Sequence, residues 1–62
     1  MIYFKEVTSE HSGIRIIVEV EEGVTDICLS QEGDTVMIMN EGQARALVAA
    51  IRKASKKLGW YV

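Results

Sequence analysis

A single cysteine, Cys28, and a single histidine, His11, leave this 62-residue chain without the usual staples of a small fold. One cysteine forms no internal disulfide, and one cysteine with one histidine cannot complete a structural zinc site. Length compounds the shortage. A chain this short buries only about 60% of the surface that its unfolded form exposes, so one domain, residues 1–62, is expected, and its stability is marginal. Self-association is a common remedy, and a homodimer is therefore expected. Long apolar runs are missing too. The longest, residues 46–51, is far too short to span a bilayer, and Met1-Ile2-Tyr3-Phe4-Lys5-Glu6 lacks the basic start and apolar stretch of a signal peptide. The expectation is a soluble chain in a reducing, cytoplasmic setting, with no membrane contact.

Catalytic patterns are equally scarce. No glycine-rich phosphate loop occurs, and the two Glu-Gly pairs, Glu22-Gly23 and Glu32-Gly33, are too short and too acidic to cradle one. His11 stands among Ser9, Glu10 and Ser12, the composition of a solvated loop, and nearness in sequence says nothing of triad geometry. Cys28 falls inside an apolar stretch with no basic neighbour to depress its pKa, so it reads as a small hydrophobe. Glu19, Glu21, Glu22 and Asp26 lack the loop spacing of a calcium site. No enzyme, no catalytic residue, no cofactor and no metal site are expected.

Acids are missing altogether from residue 42 onward, and this absence is the most informative one. All nine lie in residues 1–41, where only Lys5 and Arg15 oppose them, for a sum of −7; residues 42–62 hold Arg45, Arg52, Lys53, Lys56 and Lys57, for +5. The formal net charge of −2 hides a dipole that presents two different fields to a partner.

What is present is a run of short β-rich segments followed by one helical pattern. Strands are expected at about residues 2–7, 14–21, 24–30 and 35–39, separated by a loop at 8–13 and by tight turns at Glu22-Gly23 and Glu32-Gly33. Two-residue turns place Val18 opposite Ile27, Ile16 opposite Leu29, Leu29 opposite Val36 and Ile27 opposite Ile38. That register gathers Ile14, Ile16, Val18, Val20, Ile27, Leu29, Val36 and Ile38 on one face. Asn40 and Gln43 form a capping box that starts a helix reaching about Leu58, closed by Gly59. Ala44, Leu47, Val48, Ile51, Ala54 and Leu58 share its apolar stripe, with the cations opposite. The expected fold class is α+β: a single two-layer domain with a four-stranded antiparallel meander covered on one face by one C-terminal helix (ββββα).

On the uncovered sheet face the same register lines up Ile17, Cys28 and Met37 beside Glu19, Glu21 and Asp26. An apolar stripe flanked by carboxylates suits a small non-enzymatic protein-binding module, regulator or inhibitor in type, that contacts a basic or amphipathic protein partner. The alternative is a nucleic-acid binder, dimeric, using Arg45, Arg52, Lys53, Lys56 and Lys57 on the outer helix face for phosphate contact. The segment strand-Asn40-Glu41-Gly42-Gln43-Ala44-x-x-Leu47 is similar in outline to that of the single-strand-binding transcriptional coactivators. That resemblance, over about half the chain, implies a dimer gripping nucleic acid on its sheet, where this chain offers only Lys5 and Arg15 as cations.

Overall fold

In this computed structural model, residues 2–60 are described. Four strands, β1 (Tyr3–Thr8), β2 (Arg15–Val20), β3 (Ile27–Gln31) and β4 (Asp34–Met39), form one antiparallel sheet in the order β1-β2-β3-β4, and one helix, α1 (Glu41–Lys57), follows. The ββββα order read from the sequence is the order observed.

Local chemistry accounts for the helix ends. The Gln43 N–H donates to Asn40 Oδ1 at 2.9 Å and the Asn40 N–H to Gln43 Oε1 at 3.0 Å, the reciprocal pair of a capping box. At the other end Gly59 takes φ +76, the Gly59 N–H reaches the Lys56 carbonyl at 3.1 Å, and the Trp60 N–H reaches the Ser55 carbonyl at 2.9 Å. These two bonds make a Schellman closure that a left-handed glycine permits.

The turns set the register, and here two expectations are corrected. Glu32-Gly33 is the two-residue turn expected, with φ of 49 and 90 at its two positions, the signs that a type I′ hairpin requires. The β2–β3 connection is longer and spans residues 21–26, with a turn in which the Val24 N–H faces the Glu21 carbonyl at 3.4 Å. Val18 therefore lies opposite Leu29 rather than Ile27. A slip of two residues keeps every side chain on its face, because side chains alternate with period two.

The second correction does change faces. Between β3 and β4 the register shifts at Leu29/Ser30: Leu29 pairs with Met37 while Ser30 pairs with Thr35, which leaves Val36 as an extra residue. This β-bulge rotates the far half of β4 by one position. Met37 and Met39 join Leu29 and Ile27 on one face, and Ile38 joins Cys28 on the other. The stripe Ile17/Cys28/Met37 does not form.

The two faces can be named by their central residues. The Leu29 face carries the row Lys5–Val18–Leu29–Met37, the row Val7–Ile16–Gln31–Asp34, and Ile27 beside Met39. The Cys28 face carries the row Phe4–Glu19–Cys28–Ile38 and the row Glu6–Ile17–Ser30–Thr35.

The helix leaves much of the sheet bare. It begins one residue after β4 and meets the sheet mainly along that strand, near Met39. Met39, 3% exposed, is the one buried apolar side chain among the described residues, whereas Ile51 in the helix stripe is 56% exposed and Leu58 is 64% exposed. The layer expected to seal the Leu29 face covers only its corner. A radius of gyration of 13.0 Å records the same openness, since a closed domain of this length has about 10.6 Å.

Candidate interaction surfaces

The Cys28 face is built across all four strands. Cross-strand neighbours on one face lie about 4.5–5.5 Å apart, so Phe4, Glu19, Cys28 and Ile38 form a continuous row. Phe4 and Ile38 are exposed, and Glu19 and Cys28 are half-buried between them. A carboxylate set between apolar side chains offers both burial and a fixed negative charge to whatever covers it.

Arg15, the one cation on this face among the described residues, is already engaged. Arg15 Nη2 lies 3.0 Å from Glu32 Oε2, its Nε 3.5 Å from Glu32 Oε1, and its Nη1 3.9 Å from Glu6 Oε1. The Arg15 backbone N–H also donates to Glu32 Oε1 at 3.2 Å. The β2–β3 register continued by one pair would set Arg15 opposite Glu32, so the carboxylate ends the ladder by accepting that strand's first N–H. The Arg15 hydrogen bonds and charge hold the Glu32 carboxyl below the usual carboxylate range, and the bond to Glu32, with the charges of Glu32 and Glu6, raises Arg15 above its ordinary value. Two carboxylates oppose the one guanidinium, so this cluster and Glu19 both leave the face negative.

Of the residues expected at the protein-binding site, the structure brings together Ile17, Glu19 and Cys28. Met37 lies on the opposite face because of the bulge, and Glu21 and Asp26 lie in the 21–26 connection at one end of the sheet rather than on its face. Two members of the row went unread in the sequence. Ile38 is brought there by the bulge, and Phe4 by the pairing of β1 with β2, a pairing that no turn length announces.

The helix cations divide into two groups. Arg45 and Arg52 line an open cleft of about 830 Å³ between the first half of the helix and the sheet corner at Thr25, Ile27 and Met39. Lys56, four residues after Arg52, stays within about 40° of it, whereas Lys53 and Lys57 turn about 100° and 140° away. Arg45 is paired with Glu41, Nη2 to Oε2 2.8 Å, an exposed i,i+4 contact that offsets a cation placed near the positive end of the helix dipole. The five cations do not converge on one patch.

No protein family, curated protein or solved structure compared with the chain matches it. Its surfaces therefore carry the reading of function. Among the described residues, no helix is long and apolar enough to cross a membrane, and no group of three or more His, Cys, Asp or Glu is gathered as a metal would need.

Proposed function

We propose that this chain is a small non-enzymatic protein-binding module, regulator or inhibitor in type, that contacts a basic or amphipathic protein segment through the Cys28 face. The observation that carries the reading is the row Phe4–Glu19–Cys28–Ile38, apolar at both ends with an unopposed carboxylate inside it. Burial of Phe4 and Ile38 supplies affinity, and Glu19 selects the sign of the partner and speeds encounter. Self-association, proposed with it, leaves this face outside the dimer contact.

Capture from a native extract, with and without nuclease, tests the proposal when wild type is run beside Ile38→Lys and beside Arg52→Glu/Lys56→Glu. A protein retained after nuclease, lost with Ile38→Lys and kept with the helix double variant is the expected result. Retention that nuclease abolishes, and that the helix double variant also abolishes, would overturn it in favour of phosphate contact by the helix cations.

A further inference from the structure

We infer that the bare Leu29 face and the bare helix stripe cover each other between two copies of this chain, each helix lying across the sheet of its partner about a two-fold axis. This rests on the self-association proposed above and adds its geometry. The chain exposes 5245 Å², whereas a folded monomer of its mass exposes roughly 4,000 Å². The surplus of about 1,200 Å² per chain falls within the range of roughly 1,000–2,500 Å² that each subunit of an obligate homodimer buries.

Two unlike surfaces contribute to that surplus, and one symmetry operation closes both. Leu47, Val48, Ile51 and Leu58 lie exposed along the helix, and Val7 and Met37 are exposed on the sheet face that the helix fails to cover. The helix starts one residue after β4 and meets the sheet mainly along that strand, so most of β1 to β3 stays uncovered on this face. A 17-residue helix is about 25 Å long, enough to cross four strands spaced about 4.8 Å apart. The groove flanked by Ile27, Met39, Ala44 and Val48 adds apolar room at the edge of that footprint.

Burial selects helix on sheet over helix on helix. Pairing two helix stripes side by side covers the stripes and leaves the Leu29 face of each copy bare. Crossing each helix over the partner's sheet covers both surfaces at once, and over long range it brings the +5 segment of one copy toward the −7 segment of the other. The Cys28 face stays outside this contact.

Sedimentation of the full chain from 5 to 200 µM, together with isotope-filtered NOE spectra of a mixed labelled and unlabelled sample, tests the inference. The expected result is twice the chain mass, with intermolecular NOEs from Leu47 and Ile51 methyls to Val18 and Leu29 methyls. Ile51→Glu is expected to raise the dissociation constant at least roughly 30-fold. A single-chain mass throughout would overturn both self-association and the crossed geometry. A dimer whose filtered NOEs run only from helix to helix would overturn the crossed geometry alone, and neither result touches the binding proposed for the Cys28 face.

Discussion

Asn40 and Glu32 mark the two limits of what a residue reveals by its place in sequence. Asn40 acts on the N–H three residues away, so the capping box was legible from Asn40 and Gln43 alone, as was the Gly59 closure. Replacing Asn40 with alanine removes the acceptor for the Gln43 N–H and is expected to lower stability by about 0.5–2 kcal/mol in denaturant titration, with helix content of the folded form unchanged. Glu32 acts on Arg15 seventeen residues away, and only the hairpin register brings them together, so its role was invisible in the sequence. Glu32 also holds a positive φ that non-glycine residues avoid, a strain set against its bonds to Arg15. Its carboxyl pKa is depressed in the folded chain, so its contribution is present above the ordinary carboxylate pKa and is lost as pH falls through the folded value. Arg15 stays charged throughout and adds no pH dependence of its own. In Arg15→Gln, the Glu32 side-chain carbonyl resonance is expected to titrate at higher pH than in wild type; an unmoved midpoint would show that the ion pair is not the cause.

At the scale of elements, turn chemistry identified the strands, and a single inserted residue then decided which way half of one strand faces. The Glu-Gly turns announced two hairpins, and the longer 21–26 connection moved the register by two, which is silent for the faces. The bulge that frees Val36 moved it by one and exchanged Met37 with Ile38. No residue type in 34–39 signals this, because valine, methionine and isoleucine fit either side of a pleat, and the choice is made by pairing across the sheet. The consequence is a pair of opposite expectations at adjacent positions. Ile38→Lys places a cation in the Glu19 row on an open face, so folding and self-association survive while the basic partner is lost. Met37→Lys places it beside Leu29 at the end of the row Lys5–Val18–Leu29, on the face proposed to be covered by a second copy, so loss of the dimer is expected. Circular dichroism and sedimentation of the two variants distinguish them, and a Met37→Lys chain that stays dimeric would reverse the assignment of faces.

For the whole molecule, the charge division between residues 1–41 and 42–62 and the amphipathic helix were both legible, yet neither says whose sheet the helix covers. An apolar stripe specifies that a surface must be buried, and the helix, which starts one residue after β4, reaches only the corner of the chain's own sheet. With Met39 as the one buried apolar side chain among those described, a lone copy has little hydrophobic burial to set against the entropy of ordering its backbone. Folding and association should then be one event, as in obligate dimers that have no stable folded monomer. Such an equilibrium, one folded dimer against two unfolded chains, gains about 1.4 kcal/mol per dimer for each tenfold rise in concentration. Between 2 and 200 µM chain, the urea midpoint is expected to rise by roughly 1–3 M, given a slope of about 1–3 kcal/mol per molar urea. The Asn40→Ala and Ile38→Lys variants should keep that dependence, since neither touches the shared surface, while Ile51→Glu should lower the midpoint at every concentration. A midpoint that does not move with concentration would mean that one copy folds alone, with its helix stripe and Leu29 face open to water.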